Sequence, residues 1–278
     1  MIIDSAPSAV SECFGRADVE GFYHIDNDTY HLLPGVSSTN TADIMVDPAA
    51  YLNGESAFDK DPNADHFVFG SMVHEALMFP DSFRDLYNVF PGKVRRGKKW
   101  EAFKDECSEA GLIAIPNQMM DDCNRIIEMV GDVPEHDALF SSPFNNYELS
   151  GWINEPESGI LCKIRTDVLR LLPSSPTVVD IVDIKTAPTA EFEIDPGVSR
   201  YTKGFKYSIR SYGYYRQQAF YNDMLENMGY TVNSFRFFVI GKDLKGNALY
   251  TLGDEWIEEG REEYKDALAS LKRIIMGV

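Results

Sequence analysis

The order of strand-like and helix-like segments predicts an α/β fold, a mixed β-sheet flanked by helices. Three observations carry that reading. Two β-branched stretches, at 160–172 and 178–185, are joined by Pro173-Ser174-Ser175-Pro176, whose composition suits a hairpin connection, and a third strand-like segment at 147–153 precedes them. Segments with apolar residues near i, i+3 and i+4 lie on both sides of this meander. A further strand-like run at 234–240 follows a long helical pattern, so helices and strands together form a layered α/β sandwich.

Each element follows in order. Residues 1–40 are rich in Ser, Thr, Asp and Gly, with few periodic apolar positions, and read as an N-terminal extension packed on the core. Residues 41–278 read as a single domain, large enough to bury an ample core. Ser37-Ser38-Thr39 precedes a short helix that ends before Asp47-Pro48, and 53–65 is loop-like. A helix is expected at 69–78, stopped by Pro80, and two more at 99–110 and 117–130. After the meander come one long helix at 207–228, the strand at 234–240 and a final amphipathic helix ending near Met276. No internal repeat interrupts this order.

Composition excludes several classes. No opening stretch resembles a signal peptide and no apolar run approaches bilayer length, so a cytoplasmic protein with no membrane partner is expected. Cys13, Cys107, Cys123 and Cys162 lack any C-x-x-C spacing, which argues against zinc, an iron–sulfur cluster or a disulfide framework. The net charge of −18 is wrong in sign for DNA binding, yet its distribution matters more than its sum. Residues 86–100 contain no acid but hold Lys93, Arg95, Arg96, Lys98 and Lys99; residues 196–222 contain none but hold Arg200, Lys203, Lys206, Arg210 and Arg216. A strongly acidic remainder would repel DNA everywhere except along such a track.

The chemistry concentrates between residues 163 and 185. Side chains alternate along a strand, so Asp183 and Lys185 share a face, and Lys163, Arg165 and Asp167 group opposite Cys162, Ile164 and Val168. A surface ion pair is the plain reading of Asp-x-Lys. Here, however, the strand is apolar on both faces, with Val178, Val182 and Ile184 on one and Val179 and Ile181 on the other. Such a strand is interior, and charges on it need a reason. Divalent cations such as Mg²⁺ favour one or two carboxylates with water and phosphate oxygens, and a nearby lysine orients the attacking water. His74, in Phe69-Gly70-Ser71-Met72-Val73-His74-Glu75-Ala76-Leu77, is either a satisfied core histidine or a ligand. Gln217 and Tyr221, four apart on the long helix, share a face that Arg210 and Tyr214 extend, either as a polar edge or as part of a site.

The set His74, Asp167, Asp183-Ile184-Lys185 and Gln217-x-x-x-Tyr221 resembles the RecB-type branch of the PD-(D/E)XK nuclease superfamily. More closely, it is similar to the RecE/exonuclease VIII-like phage exonucleases. The likeness extends to Tyr30-His31-x-Leu33-Pro34-Gly35-Val36-Ser37, to Asp47-Pro48-Ala49-x-Tyr51 and to Gly70-x-x-Val73-His74-x-x-Leu77-x-x-Pro80-x-x-Phe83. It includes Arg96-Gly97-Lys98-x-Trp100 and Glu148-x-Ser150-x-Trp152, so that it spans most of residues 22–240. Thr166 stands where the superfamily's name expects proline, a position that tolerates variation.

The resemblance implies a restriction-endonuclease-like core and a Mg²⁺-dependent deoxyribonuclease, with Mn²⁺ as a substitute. Asp167, Asp183 and His74 would be metal ligands, joined by the carbonyl of Ile184, with Glu148 as a candidate further carboxylate. Lys185 would position the water and stabilise phosphate charge, while Gln217 and Tyr221 would contact DNA or order the site. Arg165 would hold phosphate or balance the carboxylates; Arg95, Arg96, Lys98, Lys99, Lys203, Lys206 and Arg210 are the further DNA-contact candidates. The implied activity is 5′→3′ resection of duplex DNA ends in phage-type recombination within a bacterial host, with a RecT-like single-strand annealing partner and a ring-shaped homo-oligomer. The alternatives are a nuclease of opposite polarity or single-strand preference, or a non-catalytic acidic end-binding or DNA-mimic protein. The intact Asp–Asp–x–Lys set argues against the last, since a binding module has no use for buried charges.

Overall fold

A computed structural model describes residues 2–3, 20–58, 61, 64–92, 95–195 and 203–277. The chain opens with β1 (Ile2–Ile3), β2 (Gly21–His24), α1 (Asn27–Leu32), α2 (Ser38–Val46), α3 (Pro48–Leu52) and α4 (Asp65–Met78). Next come a 3-10 turn (Phe83–Leu86), β3 (Tyr87–Phe90), α5 (Lys98–Glu109), β4 (Ile113–Pro116), α6 (Asn117–Gly131) and α7 (Pro134–Phe140). The meander is β5 (Asn145–Asn154), β6 (Leu161–Leu172) and β7 (Ser175–Ala187). It is followed by α8 (Phe205–Tyr212), α9 (Tyr214–Asn227), β8 (Thr231–Gly241), β9 (Asn247–Tyr250) and α10 (Asp254–Met276).

Among the described residues, seven strands form one mixed sheet in the order β1-β2-β5-β6-β7-β8-β9, and β3 and β4 form a small parallel pair. β5, β6 and β7 run antiparallel, as a meander must, and β7 pairs parallel with β8 after the crossover through α8 and α9. β2 is hydrogen-bonded to β5 within this sheet. One face carries Val179, Ile181, Phe235, Phe237 and Val239 against α8, α9 and α10. The opposite face carries Val182, Ile184, Phe238 and Ile240 against Met72, Val73 and Ile126 of α4 and α6. β7 is thus covered on both sides, which is why its sequence is apolar at both parities. Cys162 is fully buried.

Several expectations change. The long helix expected at 207–228 is two helices, because Gly213 takes a left-handed backbone (φ 66°) and ends α8 before α9 begins. Arg210 therefore does not extend the face that holds Tyr214, Gln217 and Tyr221. α4 begins at Asp65, earlier than expected. The small elements β2, α1, α3, β3, β4, α7 and β9 carried too few residues for periodicity to reveal them. No described helix is long and apolar enough to cross a membrane.

Candidate active site

The site lies where the meander forks. β6 and β7 pair back to Val168 and Val182 and then part; beyond that point β6 stays with β5, and β7 stays with β8. The flanking registers set Glu148 opposite Asp167, and Asp167 one step past the last β6–β7 pair, opposite Asp183. Three carboxylates thus fall in one row over three neighbouring strands. The backbone N–H of Ile184, freed by the parting, donates to Asp167 Oδ2 at 2.6 Å. The fork supplies the donor, and the carboxylate replaces the lost strand partner.

Glu148 marks the same row in another way. Its φ of 51° is left-handed, although it carries a Cβ. Such a residue is strained by roughly 1–3 kcal/mol and persists only where its surroundings hold it. The strain has a visible effect on side-chain facing. Leu149 packs against the α9 side of the sheet and Tyr147 against the α4 side, where plain alternation would put both on one face. Opposite, on β6, Cys162 and Ile164 face the α9 side and Val168 the α4 side. The expected grouping of Cys162, Ile164 and Val168 on one face is therefore corrected: the alternation breaks at the Glu148–Asp167 row.

Around that row the side chains converge. Ligand atoms of His74, Glu148 and Asp167 lie within 4.8 Å of one another. His74 comes from α4 on the far side of the sheet, with Nδ1 at 3.7 Å from Asp167 Oδ2. Burial and the Lys185 ammonium push the imidazole down to about 3, against a hydrogen bond to the Ile184 backbone. Burial, Asp183 and Glu148 push the Asp167 carboxyl well above the usual range, despite the opposing Lys185 charge. Asp183, the third carboxylate of the row, is held from the other side: its Oδ1 accepts from Gln217 Nε2 at 2.6 Å, and its Oδ2 is ion-paired with Lys185. Relative to the expected set, then, Glu148 joins the cluster, and Asp183 is held by its neighbours on β7 and α9.

Lys185 crosses from Asp183 to the aromatic side, with Nζ 4.7 Å from the Tyr214 ring. Burial pulls its pKa down, but Asp183, Tyr214 and Asp167 outweigh that and raise it, so the side chain is an ammonium at neutral pH. Tyr221 donates to the Arg165 carbonyl at 2.9 Å. Both α9 residues therefore brace the strands. Arg165 is ion-paired with Glu148, and its Nη1 donates to Ser150 Oγ at 2.8 Å and to the Ile25 carbonyl at 2.9 Å. Of the two roles expected of it, these partners match the balancing of a carboxylate. Lys163 is buried, with Nζ donating to the Tyr30 and Leu33 carbonyls at 2.8 and 2.6 Å, and burial lowers it to about 8. A cleft of about 1670 Å³ opens over His74, Glu148, Asp167, Arg165 and Tyr221.

Two residues of this neighbourhood had no role in the sequence reading. Glu75 lines the cleft beside His74, its carboxyl raised by burial and by Glu148. Ser150 anchors Arg165, and its spacing from Glu148 was the available signal.

The cations of the two acid-free windows fare differently. Arg95 is paired with Asp65, Lys206 with Glu193, Arg210 with Glu259 and Arg216 with Glu263. These acids come from outside the windows, three of the pairs at exposed positions. Exposed pairs of this kind are weak, so Arg95, Lys206 and Arg210 stay candidates for phosphate contact. Arg96, Lys98 and Lys99 are exposed at the start of α5, with no ion pair among the described residues. Lys203 lies 3.9 Å from the Tyr207 ring. Lys93 and Arg200 lie outside the described residues.

A mixed sheet forked at an Asp–Asp–x–Lys set, with a histidine helix over it, defines a domain of the PD-(D/E)XK type. The family described as "PDDEXK-like domain of unknown function (DUF3799)" matches residues 44–278, and the chain belongs to it. A solved structure of a candidate exonuclease from Eubacterium rectale is similar to it, with 16% identity, a TM-score of 0.57, and 91% of this chain and 87% of that one covered. A phage-related exonuclease from Haemophilus somnus 129PT aligns with 14% identity and a TM-score of 0.32, covering 88% of this chain and 96% of that one. No curated protein matches the sequence.

Proposed function

We propose that the protein is a divalent-cation-dependent deoxyribonuclease that resects linear duplex DNA from its ends, with 5′→3′ polarity, in phage-type recombination. The observation that carries this reading is the convergence of His74, Glu148 and Asp167 beside the Asp183–Lys185 pair. The donor set fits a cation. The His74 lone pair stays free down to about pH 3, and burial with neighbouring carboxylates makes the Asp167 charge unfavourable until a positive charge offsets it. Two carboxylates to one imidazole suit Mg²⁺ or Mn²⁺. Bound by these three residues, with the Ile184 carbonyl beside them, the cation would supply Lewis-acid stabilisation of the scissile phosphate.

The chain's own groups do the rest. Lys185, fixed by Asp183 and Tyr214, presents a permanent ammonium, so it orients water and neutralises phosphate charge and does not take a proton. Gln217 fixes Asp183, and Arg165 fixes Glu148. Preorganised charges of this kind are effective because they need no reorganisation during reaction. The resemblance and the exonuclease neighbour support end resection, and by the same resemblance a RecT-like annealing partner and a ring-shaped homo-oligomer are proposed.

The test is digestion of 5′- and 3′-end-labelled linear duplex, with a circular duplex as control, in Mg²⁺, Mn²⁺ and chelator. The proposal expects early release of the 5′ label, intact circles and no reaction in chelator. Cleavage of circles, or turnover in chelator, would sink it.

A further inference from the structure

The cleft opens over His74, Glu148 and Asp167, while Lys185 Nζ stands over the ring of Tyr214, the first residue of α9, just past the end of α8. That helix stands between Gly204 and Gly213 and buries Phe205, Ser208 and Ile209. Its outer face is Lys206, Tyr207, Arg210 and Ser211, with Tyr212 at its end. Two large aromatic side chains are left in water there: Tyr207 is 52% exposed and Tyr212 is 69% exposed. Among the described residues neither ring is enclosed by packing. Lys203 Nζ lies 3.9 Å from the Tyr207 ring, and the Tyr212 ring lies 5.7 Å from that of Tyr214. Tyr214 in turn contacts Lys185 at 4.7 Å. An aromatic path thus runs from the surface of α8 to the lysine of the site.

We propose that α8 is a stacking platform for unpaired nucleotides of a single DNA strand whose scissile phosphate lies at Lys185. The inference rests on the nuclease reading and names the form of the substrate on one side of the site. Exposed rings beside cations bind single strands because every base has a π-face and every phosphate a charge. A duplex hides its base faces, so paired DNA gains nothing from these rings. Charge complementarity on this face comes from Lys203, since Lys206 and Arg210 are paired with Glu193 and Glu259. Stacking on the tyrosines therefore carries most of the binding, and its salt dependence is weaker than its dependence on the rings.

The test compares wild type with Tyr207→Ala, Tyr212→Ala, the double variant and the two phenylalanine variants. Binding of a labelled oligo-dT and of a blunt duplex of equal length is followed by anisotropy in chelator, with cleavage of both in Mg²⁺ measured alongside. Each alanine should weaken oligo-dT binding roughly tenfold, both phenylalanines should restore it, and the duplex affinity should stay within about twofold. Unchanged melting temperatures confirm that the variants fold. Alanine variants that bind oligo-dT like wild type overturn the platform, even if wild type is an active nuclease. So does an equal loss on duplex, or a change confined to self-association in sedimentation, which would make the face a protein interface. A wild type that neither binds nor cleaves any DNA overturns the nuclease reading itself.

Discussion

Asp167 is held where its charge is least favourable, under burial and beside Asp183 and Glu148, so its folded-state pKa is raised. The sign follows directly: the folded state binds that proton more tightly than the unfolded state, so stability falls as pH rises from the unfolded value toward the folded one. Asp167→Asn keeps an acceptor for the Ile184 N–H and removes the charge. It should raise the melting temperature at pH 7 in chelator while lowering Mg²⁺-dependent cleavage more than tenfold, about 1.4 kcal/mol of barrier. A variant that keeps its activity would show that Asp167 is not a ligand. His74 behaves in the opposite sense. Its folded pKa is lowered from 6.5 to about 3. As pH falls through 6.5 the unfolded chain takes up a proton that the folded chain refuses, so this contribution to stability is lost progressively down to about pH 3. His74→Asn should flatten the melting temperature against pH over that window. An unchanged slope would mean that the ring titrates normally and is not enclosed as described.

At the scale of elements, the turn at Gly213 decides which groups meet. It sends Arg210 toward Glu259 and Trp256 of α10, and Tyr214 and Gln217 toward Lys185 and Asp183. A Cβ at Gly213 would be strained at φ 66° and would sit 2.6 Å from Arg216 Nη2. Arg216 has little room to yield, because its Nη1 is bonded to Glu263 at 2.6 Å. Gly213→Ala should therefore cost about 1–3 kcal/mol, read as a fall of several degrees in melting temperature. Wild-type stability in this variant would show that α8 and α9 can merge into the single helix that periodicity suggests. The glycine was visible in Tyr212-Gly213-Tyr214, but a lone glycine within a helical pattern is often tolerated and gave no decision.

For the whole molecule, charge is arranged in space and not along the chain. Asp65, Glu193, Glu259 and Glu263 fold onto cations of the two windows that contain no acid. Arg96, Lys98 and Lys99 are the cations of the first window with no ion pair among the described residues. Neutralising Arg96, Lys98 and Lys99 together should flatten the log–log salt dependence of duplex binding, by about 0.9 for each phosphate that is no longer neutralised, and should spare stability. Arg210→Gln with Arg216→Gln should leave that slope unchanged and lower the melting temperature, mostly through Arg216, which is nearly buried beside Glu263. A slope changed only by the second pair would place the DNA path over α8 and α9 instead.

The strand order of the meander, the doubly covered β7 and the Asp–Asp–x–Lys set were legible in the sequence alone. Alternation and β-branched runs are local properties, and a strand apolar at both parities states its own burial. His74 and Gln217 became candidates only through the family resemblance, since each by itself has an ordinary packing reading. What the tertiary structure decided was every pairing that depends on elements distant in sequence. The fork between β6 and β7, the left-handed Glu148 and its capture by Arg165 bring that carboxylate to His74 and Asp167, while Gln217 and Lys185 fix Asp183 beside Asp167. No local pattern encodes a strand's parting or a guanidinium's choice of partner, because both are set by which side chains folding brings within a few ångströms. The same physics turned two acid-free stretches of sequence into a surface where half of the described cations, Arg95, Lys206, Arg210 and Arg216, are ion-paired.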